Sequence, residues 1–199
     1  KTQYPYNVLT DRAGNTWFTS CGSLHTEVGS ILFLEKKTGK MHSMARLPVF
    51  RELVVEQLLE DRHSNIWVAA HNGYLYRCRA NEPSAERFNY LHVFPENYLN
   101  LTANALLEDC ESNNLWIGTS GGLVMASIPK NGEAPAFRLL EYHPDNATSL
   151  NWNSILCLYQ NPQEPNLIWI GTRGGGLVCY DKNTGFFRLY TTENGLSDN

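Results

Sequence analysis

One phrase recurs four times along this chain, and it constrains the fold more than any other feature. Its fullest form runs from Asp109 to Leu123, DCESNNLWIGTSGGL: a polar turn, an apolar run around a tryptophan, a Gly-Gly turn and the start of a second apolar run. The related phrases are DRAGNTWFTS from Asp11, DRHSNIWVAAHNGYL from Asp61 and NPQEPNLIWIGTRGGGL from Asn161. Trp17, Trp67, Trp116 and Trp169 therefore follow one another at intervals of 50, 49 and 53 residues. A period close to fifty, with turn residues at the same place in each copy, marks an array of repeated supersecondary units.

The same elements are predicted in the same order within each copy. A short apolar run comes first, at 6–11, 56–61, 104–109 and 153–160. A polar turn follows, then a tryptophan strand that is apolar on both faces, as suits a strand enclosed between neighbouring sheets. Glycine-rich turns at 72–73, 121–122 and 174–176 lead to third strands at 31–35, 74–79, 123–127 and 177–181. Fourth strands such as 137–142 and 187–191 alternate charged and apolar residues, the pattern of an outer strand with one wet face. Four antiparallel strands per repeat make a β-propeller blade. The predicted fold is all-β, a β-propeller fragment of four blade repeats. The repeats span about 3–52, 53–100, 101–149 and 150–195 of one partial domain covering 1–199, and 196–199 begin a further repeat. With no initiator Met and no signal peptide, the chain reads as a piece of a longer protein.

Composition removes several function classes. The 199 residues are 42% hydrophobic and 18% charged, with a net charge of −4, which disfavours a nucleic-acid or anionic-membrane partner. No apolar run approaches the length of a membrane-spanning helix. The five cysteines are odd in number and never spaced C-x-x-C, so neither a zinc site nor a full disulfide framework is expected. Cys78, Cys157 and Cys179 lie in apolar runs and are expected to be small buried hydrophobes. The six histidines make no H-E-x-x-H pair. Gly171 to Gly176 lacks the Lys-Ser/Thr of a phosphate-binding loop, and Asp181 to Thr192 lacks the closing Glu of a calcium loop. No catalytic residue, metal site or cofactor is predicted. The acidic residues Asp11, Asp61 and Asp109 are expected to accept backbone N–H groups in the turns they open, with Asn161 in that place in the fourth repeat. Trp67, Trp116 and Trp169 are expected to be almost wholly buried between sheets.

The phrases DRAGNTW, SNIWVAA, NLWIGTSGGL and LIWIGTRGGGL, with a terminal GLSDN, resemble two-component regulator propeller repeats, and the resemblance covers essentially the whole chain. The first repeat departs most, with Thr19-Ser20-Cys21-Gly22 in place of G-T-x-G-G, and the second replaces Gly-Thr by Ala69-Ala70. The resemblance implies a periplasmic sensor domain, as in Bacteroides-type hybrid two-component system histidine kinase/response regulators. In that family the signals are usually oligosaccharides derived from complex glycans, and the kinase lies elsewhere in the chain. A protein-binding scaffold and a glycan-active enzyme are the alternative readings.

Small ligands bind a propeller where loops of several blades converge. The linker into each innermost strand and the turn after each tryptophan strand are expected at one common end. Residues there that are unusual among the repeats are the candidates for ligand contact: Trp152, Arg173, His71 and Tyr98. Aligning Leu101–Leu106 with Leu150–Ile155 sets Trp152 level with Val55, Ala103 and Asp198, so a large aromatic stands where the other repeats have smaller residues. The apolar faces of the first and last blades are expected to drive self-association.

Overall fold

The computed structural model describes residues 5–20, 31–44, 47–50, 53–79, 84–95, 101–129, 132–140 and 154–198. Among the described residues, sixteen strands form four separate antiparallel sheets, each built from four consecutive strands. The first holds β1 (Pro5–Thr10), β2 (Thr16–Ser20), β3 (Ile31–Leu34) and β4 (Met41–Ser43). The second holds β5 (Val55–Glu60), β6 (Ile66–Ala70), β7 (Tyr74–Cys78) and β8 (Ala85–Asn89). The third holds β9 (Ala103–Glu108), β10 (Asn114–Thr119), β11 (Gly122–Ser127) and β12 (Ala136–Leu140). The fourth holds β13 (Ile155–Gln160), β14 (Leu167–Thr172), β15 (Leu177–Asp181) and β16 (Phe187–Tyr190). This is the expected all-β architecture of propeller blades. The sheets group into two compact units, Lys1–Asn89 and Tyr90–Asn199.

Each unit has its own core between two sheets. In the first unit, Trp17, Ile31 and Phe33 of the first sheet pack with Leu58, Val68 and Tyr76 of the second. In the second unit, Trp116, Leu123 and Leu140 of the third sheet pack with Ile168, Ile170 and Val178 of the fourth. Trp116 meets Tyr180 edge to face at 5.8 Å. The tryptophan side of one sheet thus meets the aliphatic side of the next, once in each unit. This joint also accounts for the glycine of the Ile-Gly-Thr phrase. A Cβ on Gly118 would lie 2.5 Å from the Cγ2 of Ile155, inside the space that Ile155 fills.

The turn glycines have their own reason. Gly176 has φ +83°, and a Cβ there would meet the carbonyl oxygen of Tyr190 at 2.2 Å. The preceding threonine closes the turn from the other side. Thr172 donates its hydroxyl to the Gly176 carbonyl at 2.9 Å, and Thr119 does the same to Gly122 at 2.8 Å.

Two expectations about burial are corrected. Trp17, Trp67 and Trp116 are buried, but Trp169 is partly exposed. β6 is buried on both faces, whereas β14 alternates, with Ile168, Ile170 and Thr172 inside and Leu167, Trp169 and Gly171 on the more open face. Trp169 rests against Tyr190 of its own sheet, at 5.7 Å between rings. Cys78 and Cys179 are buried, but Cys157 is exposed because it stands on the same open face, beside Gly171. Burial pushes the Cys78 thiol up to about 12, so it packs as a neutral group.

Candidate functional site

Antiparallel alternation gives each blade two ends, and the two ends carry different chemistry. At one end the turn after the tryptophan strand is tied to the linker that enters the innermost strand. The His71 amide donates to the Val54 carbonyl at 3.2 Å, that of Ser120 to Thr102 at 2.9 Å, and that of Arg173 to Ser154 at 2.8 Å. His71, Ser120 and Arg173 therefore hold one position in three successive blades. At the same end each innermost strand opens with a register irregularity, after Pro5, Val55, Ala103 and Ile155, that leaves one residue unmatched. Such bulges break the alternation and re-aim a side chain at the rim of a sheet.

The bulged residues of the second and third blades are polar and serve a visible purpose. Glu56 sets its carboxylate against the imidazole Nε2 of His71 and offers its carbonyl to the side-chain amide of Asn7 at 2.9 Å. Asn104 donates from its own side chain to the Ile155 carbonyl at 2.7 Å. Both bonds link neighbouring sheets within a unit. They were missed in the sequence, although a polar residue inside an apolar run, as in Asn7-Val8-Leu9 and Asn104-Ala105-Leu106, was the available signal.

Arg173 is exposed, and its guanidinium has no ion pair among the described residues. Ser120 accepts the Thr102 amide on its hydroxyl at 3.1 Å. In the first unit this end thus offers an imidazole–carboxylate pair, and in the second a hydroxyl and an exposed guanidinium. These are hydrogen-bonding groups open to solvent, suited to a polyhydroxylated or anionic ligand. Tyr98 and Trp152 lie outside the described residues. The expected alignment of Trp152 is nevertheless corrected by the register around it. Val55 pairs with Ala70, Ala103 with Thr119 and Ile155 with Thr172, each at the end of its tryptophan strand. Ile155, not Trp152, is the counterpart of Val55 and Ala103. The Leu-x-x-Asn likeness between the two linkers is therefore out by three residues, because backbone pairing, not letter matching, sets the equivalence.

The opposite end carries the acidic turns. Asp11 accepts the Asn15 amide at 2.8 Å, the Asn15 side chain at 2.9 Å and the indole N–H of Trp17 at 2.8 Å. Asp61 repeats the arrangement with Asn65 and Trp67 at 2.9, 2.8 and 2.7 Å. Asp109 takes the amides of Glu111 and Ser112 and the indole of Trp116 at 3.0 Å. The role expected from sequence was the backbone bonds; the indole bond was not foreseen. Its signal was the near-constant spacing from Asp to Trp, since a buried indole N–H needs an acceptor. In the fourth blade Asn161 accepts the Gln163 amide at 3.1 Å. Lys182 of the β15–β16 hairpin reaches Asp109 at 2.9 Å. Burial opposes ionisation of that carboxyl, but Lys182 and the indole outweigh it and hold Asp109 below the ordinary carboxylate value. These residues are occupied in holding the blade together and are not free for a ligand.

No protein-family model matches the chain, and no curated protein does. Solved structures do. The extracellular domain of a protein assigned as a one-component system of B. thetaiotaomicron matches with a TM-score of 0.71 at 22% identity, over 100% of this chain and 24% of that one. The extracellular domain of a protein assigned as a hybrid two-component system of the same organism matches with a TM-score of 0.67 at 20% identity, over 98% and 23%. PorZ, a surface component of the type-IX secretion system of Porphyromonas gingivalis, matches with a TM-score of 0.68 at 16% identity, over 95% and 27%. This chain spans about a quarter of each of those chains. The likeness is one of fold, and it agrees with the architecture expected from the repeats. No helix among the described residues is long and apolar enough to cross a membrane.

Proposed function

We propose that this chain is part of an extracytoplasmic ligand-sensing propeller, periplasmic in location, belonging to a hybrid two-component sensor histidine kinase. In this reading the four repeats form one partial propeller domain. The ligand is an oligosaccharide derived from a glycan, and its binding is passed across the membrane to a kinase that controls transcription. The kinase activity belongs to the parent protein and not to this chain. The observation that carries the proposal is the fold likeness over the full chain to the extracellular domains of one protein assigned as a one-component system and one assigned as a hybrid two-component system. The exposed His71 with Glu56 in the first unit, and Ser120 with exposed Arg173 in the second, support it, because sugars are recognised by hydrogen-bonding groups. Trp152 and Tyr98 remain in the proposed contact set, as aromatic faces on which a sugar ring can stack.

Calorimetric titration of the purified chain with neutral and acidic oligosaccharides tests the reading, alongside phosphorylation of the intact parent with the same sugars. Binding is expected, and Arg173→Ala is expected to weaken it about tenfold, or about 1.4 kcal/mol. Absence of binding by the intact parent, with phosphorylation unchanged by every sugar, would overturn it. The second reading is a protein-binding scaffold, favoured by the likeness to PorZ, a surface component of a secretion system. Self-association through the end faces of the chain belongs to both readings.

A further inference from the structure

We infer that the linker end of the third and fourth blades is a site for an acidic sugar, whose carboxylate meets Arg173 and whose hydroxyls meet Thr102, Asn104 and Ser120. The inference rests on the sensing reading above and narrows its ligand to sugars that carry a hexuronic acid.

Two backbone positions recur at this end of the second, third and fourth blades. One is the residue after the tryptophan strand, whose amide donates to the linker: His71, Ser120 and Arg173. The other is the residue left unmatched where the innermost strand opens: Glu56, Asn104 and Leu156. In the second blade the two positions satisfy each other, because the Glu56 carboxylate lies against the His71 imidazole. In the fourth blade the turn position carries a guanidinium and the bulge position a leucine. The nitrogen donor is kept, and the carboxylate that stands beside it in the second blade is gone. Arg173 is exposed and makes no ion pair among the described residues. A carboxylate brought by a ligand therefore completes at the fourth blade the pair that the second blade completes from within. The fork of a guanidinium matches the two oxygens of such a group.

The third blade supplies neutral partners. The Ser120 hydroxyl accepts the Thr102 amide at 3.1 Å, which leaves its own proton to donate elsewhere. Asn104 gives one side-chain N–H to the Ile155 carbonyl at 2.7 Å. That carbonyl belongs to the peptide bond joining Ile155 to Leu156, so the bulge of the third blade is tied beside the bulge of the fourth, within one unit. Thr102, Asn104 and Ser120 are all partly exposed. Hydroxyl and amide groups on one blade and a cation on the next suit a ligand with hydroxyls and one carboxylate. The strip lies in turns and linkers at the ends of strands, not on the sheet faces that neighbouring blades of a ring cover.

Paired disaccharides test this. The two members of each pair share a linkage and end either in a hexuronic acid or in the corresponding neutral hexose. Affinities of the chain for both members are measured by calorimetry at about 50 mM salt. In one pair or more the acidic member is expected to bind at least about tenfold more tightly. Arg173→Gln is expected to bring that ratio to within about twofold of unity. Leu156→Glu is expected to do the same with Arg173 still in place, because it rebuilds the carboxylate that Glu56 supplies in the second blade. Leu156→Gln, similar in size and uncharged, is expected to keep the ratio. Leu156 is exposed, so both replacements are accommodated, and circular dichroism verifies that each variant folds. Equal affinity within every pair, no binding of any member, or a ratio that survives Arg173→Gln or Leu156→Glu would overturn the inference. Equal affinity for acidic and neutral sugars would leave the sensing reading standing; that reading fails instead when the intact parent responds to no sugar.

Discussion

A buried tryptophan is a large apolar surface with one polar atom, and this chain handles both parts with one neighbour in sequence. The aspartate six or seven residues upstream accepts the indole N–H and ties down the turn, so a single carboxylate fixes the strand and its anchor. Removing the anchor leaves a cavity between sheets. Trp116→Ala is expected to destabilise the chain by about 3–5 kcal/mol in urea denaturation. Trp169→Ala, on a face already partly wet, is expected to cost about 2 kcal/mol or less. Asp109 adds an acid dependence. Its folded-state value is depressed, so its stabilisation is fully present above the unfolded value of about 4 and is lost as pH falls through the lower folded one. Thermal midpoints measured from pH 7 down to pH 3 are expected to fall less steeply in Asp109→Asn than in the wild type. Equal acid slopes would show that the Lys182 pairing contributes nothing to stability.

Strands in this fold are held to their neighbours by packing within the blade joint and by polar bonds at its two ends. At the acidic end, Glu60 accepts the Arg12 amide in the first unit at 2.8 Å. Gln160 accepts the Cys110 amide in the second, also at 2.8 Å. Each residue immediately precedes the acidic-turn position of its blade, so one position caps the preceding blade in both units. At the bulged end the Asn7 and Asn104 side chains make the matching bonds. Asn104→Ala is expected to cost about 1 kcal/mol. Between the two ends the joint is tight. Gly118→Ala is expected to cost about 1–3 kcal/mol by overpacking against Ile155. If that contact is the cause, Gly118→Ala and Ile155→Ala are non-additive by at least about 0.5 kcal/mol in a double-mutant cycle. Strict additivity would place the strain elsewhere.

On the scale of the molecule, the polar groups that resemble catalytic parts are each taken up by contacts within their own unit. Asp11, Asp61 and Asp109 each serve their own turn, and the His71–Glu56 pair lies at one bulge. The purified chain is accordingly expected to show no turnover of polysaccharides in reducing-sugar assays. Robust hydrolysis abolished by changing one carboxylate would instead place an acid–base pair on one end of a blade.

The repeat period, the turn residues and the tryptophans were enough to define four sheets of four strands, because strand content and turn chemistry are local properties. That the turn after the tryptophan strand meets the linker into the innermost strand of its own blade was also legible, since antiparallel alternation requires it. Three features were not. The bulges that displace Glu56 and Asn104 depend on pairing with a partner strand, which no single run of letters records. For the same reason the likeness between two linkers put Trp152 three residues out of place. The exposure of Trp169 and Cys157 was hidden because Trp169 holds the same place in its sheet as the buried Trp116, and Cys157 lies in an apolar run. Burial is a property of what packs against a face, and only the tertiary structure decides that.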